Sequence, residues 1–196
     1  MTEPILILGT KSPQRLALFS KFTIPFKTIH SDFDESTISK TLSSQDYVKR
    51  VAEGKGIVLE KIFPDLPILT ADTTIYHDGK IINKPINLED AFNTLSLLQN
   101  NSHQVWTGIH LRSKGCIYSL EDMTTVYLNP LTSEQISAYI NTYNPIDKAG
   151  SYAIQDGASI LVKKIEGDFY NVVGFSISSI NHLLNKIGMD LWQYLD

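Results

Sequence analysis

The chain predicts an α/β fold, a mixed twisted sheet flanked by helices. Three features carry that prediction. An apolar run of buried character, Ile5-Leu6-Ile7-Leu8, passes through a short polar loop into a capped helix and on to a second apolar segment, as in parallel strand–helix–strand units. Segments with helical spacing of apolar residues alternate with segments of strand character along the rest of the sequence. Strand connections come in a long and a tight form, the tight one marked by His77-Asp78-Gly79, so parallel and antiparallel pairs share a sheet. With 196 residues, 42% hydrophobic and 19% charged, the chain has material for one substantial core, and residues 1–196 read as a single domain.

Each element has a local cause. Gly9-Thr10-Lys11 breaks the first strand before Ser12-Pro13, an N-cap serine with proline at the first helical position. The helix it opens spans 13–21, with Leu16, Leu18, Phe19 and Phe22 as its apolar face. Pro25 to Ile29 is a second strand, ending in the polar stretch Ser31-Asp32-Phe33-Asp34-Glu35. Ser43 or Ser44 caps a long helix reaching Ile62, and Gly54 and Gly56 weaken its middle while permitting close approach. Ile68 to Tyr76 and Lys80 to Asn83 form a hairpin that returns Lys84 toward Asp72. Asn87 caps a helix carrying Ala91, Leu95 and Leu98; a strand from His103 to Arg112, one from Cys116, and a third from Thr124 to Leu128 come next. Thr132 with Gln135 forms a capping box for the helix 133–143. Ile160 to Ile165 is a strand, and a helix over 176–187 closes the fold.

Composition narrows the function. A net charge of −4 and a pI near 5.7 oppose binding to nucleic-acid polymers, which needs a basic surface that releases counterions. Phosphate recognition therefore belongs in a local pocket. Cys116 is the sole cysteine, which excludes an internal disulfide and a multi-thiolate zinc site. Met1-Thr2-Glu3-Pro4 and the short run Ile5 to Leu8 offer no signal-peptide core, and no segment has the length of a membrane span. A cytoplasmic protein without membrane association is expected.

Four stretches carry candidate chemistry. Thr10-Lys11-Ser12-Pro13-Gln14-Arg15 leads from a strand into a helix N-terminus, which reads either as an anion site or as an ordinary cap. Asp72 comes directly after the apolar run Pro67-Ile68-Leu69-Thr70-Ala71. With Thr73, Glu35 and Lys84 it suits a site for a divalent cation and phosphate, or equally a surface ion pair on a hairpin. Lys55, between Gly54 and Gly56, reads either as a phosphate contact that a substrate can approach or as a solvated helix lysine. Asp147 to Gly157 is rich in small residues, and it reads either as a ligand loop whose Gln155 has the donor and acceptor for a base edge or as a Gly-containing loop with a buried tyrosine. His30, His77, His110 and His182 have no metal-ligand spacing.

In order, Ser12-Pro13-Gln14-Arg15, Lys55, Ala71-Asp72-Thr73, Lys84-Pro85, His103 with Thr107-Gly108, Asp147-Lys148-Ala149-Gly150 through Gln155, and Glu166 to Gly174 resemble the motifs of the Maf family of nucleotide pyrophosphatases. The similarity runs from about Ile5 to Leu184. It implies a two-lobed α/β fold around a cleft, related to the inosine-triphosphate pyrophosphatases, and hydrolysis of a nucleoside triphosphate to the monophosphate and pyrophosphate with Mg²⁺ or Mn²⁺. By the same resemblance Asp72 is the proton acceptor, Arg15, Lys55 and Lys84 are its catalytic phosphate contacts, and Thr10 and Ser12 bind substrate. Asp72 and Glu35 are the metal candidates. Family members acting on dTTP and UTP carry Arg, Thr and Gln at three positions that read here Gln14, Thr73 and Gln155. Two of the three match, and Gln14 replaces a permanent cation by an amide. A homodimer is also implied. The alternative function is a non-catalytic nucleotide-binding regulator of septum formation.

Overall fold

The computed structural model describes residues 3–195; Met1, Thr2 and Asp196, at the ends of the expected domain, lie outside them. Its strands are β1 (Leu6–Gly9), β2 (Phe26–Ile29), β3 (Ile68–His77), β4 (Lys80–Ile82), β5 (Ser102–Ser113), β6 (Cys116–Leu128) and β7 (Val162–Glu166). The helices are α1 (Pro13–Phe19), α2 (Ser44–Glu60), α3 (Leu88–Leu98), α4 (Ser133–Tyr143), α5 (Phe169–Val173) and α6 (Ile177–Asn185). Seven strands form an open mixed sheet in the order β2-β1-β3-β5-β6-β7, with β4 paired to β3. β1 is parallel to both β2 and β3, whereas β3·β4 and β6·β7 are antiparallel.

The described chain divides into two compact units. One takes the chain through Asp72, Thr107–Asp122 and everything from Gly174. Its interior holds Leu6, Ile7 and Leu8 of β1, each fully buried, with Leu59 and Ile68 packed beside Ile7. Phe19 meets Phe26 and Phe175 edge-on at ring separations of 5.1 and 5.9 Å, geometry favoured by the aromatic quadrupole. The other unit takes Thr73–Trp106 and Met123–Val173. There Ala91, Leu95 and Leu98 of α3 and Ile136, Tyr139 and Ile140 of α4 are buried with Ile75, Val105, Val126 and Leu128 of the strands.

The expected caps form: Ser12, Ser43 and Asn87 accept hydrogen bonds from backbone N–H groups three residues on, and Thr132 and Gln135 make a reciprocal capping box. The helices of 13–21 and 176–187 are shorter than expected, and the strand of 160–165 begins at Val162 after a 3₁₀ turn over Gly157–Ile160. The strands expected separately from Cys116 and from Thr124 are one strand, β6. Its polar middle stays in the sheet because Glu121 has partners in Gln45 and Lys49 of α2. The short helix α5 has no periodic signal in the sequence; Asp168 Oδ1 accepts the Tyr170 N–H at 2.9 Å and starts it.

Candidate active site

β1 is flanked by β2 on one side and β3 on the other, both parallel to it. The chain leaves β1 toward β2 and later returns on β1's opposite side as β3, so a topological switch point lies between β1 and β3. Ligand sites of open α/β sheets gather beyond the carboxyl ends of strands at such a point. Three candidate stretches fall there. The loop Thr10 to Ser12 leaves β1, Glu35 lies in the segment leaving β2, and Asp72 lies two residues past Thr70, the last β3 residue paired with β1. β3 continues to His77, one residue past the expected Tyr76, and it is the parallel pairing with β1 that ends before Asp72.

Helix α2 supplies the cation. Thr70 Oγ1 donates to the Ala52 carbonyl at 2.7 Å, and two residues on the strand and three on the helix further, Lys55 Nζ donates to Asp72 Oδ1 at 2.8 Å. Strand period two and helix spacing three keep both pairs on facing surfaces. The same ammonium lies 2.7 Å from Glu35 Oε1. Glu35 is brought there by its own loop: Ser31 Oγ donates to the Lys55 carbonyl at 3.2 Å, and the Phe33 ring lies where a Gly54 side chain would begin, 2.3 Å from that Cβ position. Gly54 therefore accepts Phe33, and Gly56 accepts His110. Neither glycine opens the helix to a substrate in the way the sequence suggests. The Lys55 and Asp72 side chains are 13% and 12% exposed, so the solvated-lysine reading fails.

Arg15 reaches across the same unit. Its Nε donates to the Gly174 carbonyl at 2.7 Å and a terminal nitrogen donates to the Ala71 carbonyl at 2.8 Å, gripping the residue before Asp72. Burial pushes its pKa down from the ordinary arginine value, while Asp72 and then Glu35 push it up. Thr10 is buried, and its Oγ1 accepts the Ser12 N–H at 3.0 Å. Ser12 Oγ accepts the Arg15 N–H at 3.4 Å and donates to Gln14 Oε1 at 3.0 Å. Tyr47 of α2, which no motif in the sequence marks, belongs with this set. Burial first, and then the charges of Asp72 and Glu35, push its pKa up, so its hydroxyl stays protonated.

The remaining candidates lie in the other unit. Thr73 is half-buried, while Lys84 and Gln155 are exposed. The hairpin register, Ile75 on Ile82 and His77 on Lys80, ends two residues short of Lys84. Glu166 accepts from the Tyr127 hydroxyl and pairs with Lys164. Among the described residues no group of three or more His, Cys, Asp or Glu gathers into a metal cage.

An open mixed α/β sheet thus brings two carboxylates, Glu35 and Asp72, together with two cations, Lys55 and Arg15, at its switch point. The family model described as Maf-like protein matches residues 5–187, and the chain belongs to that family. Similar proteins include a dTTP/UTP pyrophosphatase of Thermosipho melanesiensis, 41% identical over 91% of this chain and 96% of its own length. Another, from Chlamydia trachomatis serovar D, carries the same name and is 34% identical over 98% and 99%. A nucleoside triphosphate pyrophosphatase of Chlamydia muridarum is 34% identical over 97% of each chain. Among the described residues no helix is long and apolar enough to cross a membrane.

Proposed function

We propose that this chain is a metal-dependent nucleoside triphosphate pyrophosphatase that converts NTP and water to NMP and pyrophosphate, preferring dTTP and UTP. The observation that carries the reading is the Glu35–Lys55–Asp72 cluster beyond the parallel strands. The names of the relatives support the reaction and the pyrimidine preference. Family membership and a net charge of −4 favour a cytoplasmic enzyme acting on free nucleotide, with residues 1–196 working as one domain.

Water attacks the α-phosphorus, the bond from that phosphorus to its bridging oxygen breaks, and pyrophosphate departs with the electron pair. Asp72 accepts the proton that water releases. Lys55 holds Asp72 in place and keeps a positive charge beside it, and Arg15 fixes the strand at Ala71 while adding a second charge. Lys84 neutralises phosphate oxygens, Thr10 and Ser12 shape the loop that receives them, and Gln14, Thr73 and Gln155 contact the nucleoside. Charge developing on the phosphoryl oxygens and the leaving group is what these cations stabilise.

The donor set fits a divalent cation. Asp72 and Glu35 converge on one ammonium at 2.8 and 2.7 Å, and Mg²⁺ is commonly bound by one or two carboxylates together with substrate phosphates. Asp72 and Glu35 would hold such an ion, which would supply Lewis acidity toward phosphoryl oxygens and lower the pKa of water.

The test is product analysis with dTTP, UTP, CTP, 7-methyl-GTP, ATP and GTP in Mg²⁺ or Mn²⁺. Equal release of monophosphate and pyrophosphate, fastest from dTTP and UTP, is expected. Folded protein that binds these nucleotides and turns over none overturns the enzyme reading in favour of a binding regulator.

A further inference from the structure

The loop that ends at Gln155 is held by a polar anchor that the reaction itself does not use. The chain turns sharply at Gly150 and Ser151, both left-handed with φ of +68° and +63°. A side chain at Gly150 would begin 2.2 Å from Ile75 Cδ1, so that glycine fixes where the turn sits. Ser151 is fully buried and not a glycine, and a left-handed conformation there is strained. Such a turn persists only if the chain leaving it is fastened.

Tyr152 is the fastening. Its hydroxyl and His103 Nε2 share a 2.7 Å hydrogen bond, and the two rings meet edge-on at 5.5 Å and 72°. They are 5% and 2% exposed. His103 Nδ1 is buried with no hydrogen-bond partner among the described residues. A buried polar atom left in that state costs stability, so an apolar pair of the same volume would serve a core better. What the polar pair adds is direction, because one bond sets where the Tyr152 ring points. The Ala153 N–H then donates to the Tyr139 hydroxyl at 3.3 Å, and the Asp156 N–H closes a turn on the Ala153 carbonyl at 3.0 Å. Gln155 lies inside that turn, exposed.

We infer that His103 is a positioning residue for nucleoside selection, acting through Tyr152 to fix the turn that presents Gln155. This rests on Gln155 contacting the substrate. Tyr152→Phe keeps the ring and removes only the bond to His103. It raises KM for dTTP and UTP roughly fivefold to tenfold, the equivalent of about one hydrogen bond, with kcat within about twofold. Gln155→Ala raises KM at least as much, and Tyr152→Phe adds little further in the Gln155→Ala background, because both act through one side chain. His103→Gln, which retains a hydrogen-bonding group, restores part of what His103→Ala loses.

Unchanged KM in Tyr152→Phe, or full multiplication of the two effects in the double variant, overturns the positioning role while leaving Gln155 as a contact. Unchanged KM in Gln155→Ala removes the substrate contact itself and the inference with it. Thermal unfolding of each variant separates a lost anchor from a lost fold.

Discussion

Lys55 Nζ donates a 2.8 Å hydrogen bond to Asp72 Oδ1 and so joins the middle of a long helix to the point on β3 where parallel pairing has just ended. The same ammonium holds Glu35 at 2.7 Å. One cation therefore organises two carboxylates that would otherwise repel each other.

Replacing Asp72 by Asn keeps its shape and removes its charge and basicity. Pyrophosphate release should fall by about 10²–10⁴-fold, the range of a general base. Nucleotide binding, measured by calorimetry, should persist.

Lys55→Met should leave Asp72 and Glu35 together without their shared cation. Loss of one partner of a buried pair costs about 3–5 kcal/mol; the Glu35 side chain is half exposed, so about 2 kcal/mol is expected here. Urea unfolding measures it. Mg²⁺ should raise the melting temperature of this variant more than that of the parent, because the carboxylates need a replacement cation. Equal effects on both proteins would count against a metal at this pair.

A Cβ at Gly108 would lie 2.5 Å from the Val48 carbonyl oxygen, in the backbone of α2. Backbone cannot rotate away, so Gly108→Ala should push the helix that carries Lys55. A destabilisation of about 2 kcal/mol should accompany a larger fractional loss of kcat than of melting temperature.

His103 and His110 are each pushed down to about 4, first by burial, then by His77 for the former and Arg112 for the latter. Unfolded histidine takes its proton near 6.5. Between those values the unfolded chain binds more protons than the native one, so stability falls as pH falls. The loss begins near pH 6.5 and is complete below about 4. It amounts to roughly 3 kcal/mol per histidine. His110→Gln should remove about half of this pH slope, as read from urea midpoints across the range.

Gln14→Arg should add a permanent cation beside Ser12 and lose the 3.0 Å bond between Ser12 Oγ and Gln14 Oε1. Tighter binding of dTTP and UTP, seen as a lower KM with kcat little changed, is the expected outcome. A drop in kcat alone would place Gln14 outside the substrate contacts.

Features decided by neighbours in the chain were legible in the sequence. Ser12, Ser43, Asn87 and Thr132 cap helices because each bonds within its own turn. The apolar run through Ala71 marked Asp72 as a carboxylate in an expensive place. Tertiary partners were invisible. Lys55 reads as a solvated helix lysine in sequence because nothing local announces that Ser31 and Phe33 dock Glu35 on it. The strands expected separately from Cys116 and from Thr124 are one because Glu121, between them, is paired with Lys49 and Gln45 from another element. The Arg15 bond to the Ala71 carbonyl spans 56 residues of chain, beyond the reach of any spacing rule.

The most direct measurement is hydrolysis of dTTP in water labelled with the heavy oxygen isotope, with products weighed by mass spectrometry. One heavy oxygen in dTMP, none in pyrophosphate, and no labelled product from Asp72→Asn on the same timescale are expected. Label in pyrophosphate, or release of dTDP with labelled inorganic phosphate, would contradict attack at the α-phosphorus and the site built around Asp72.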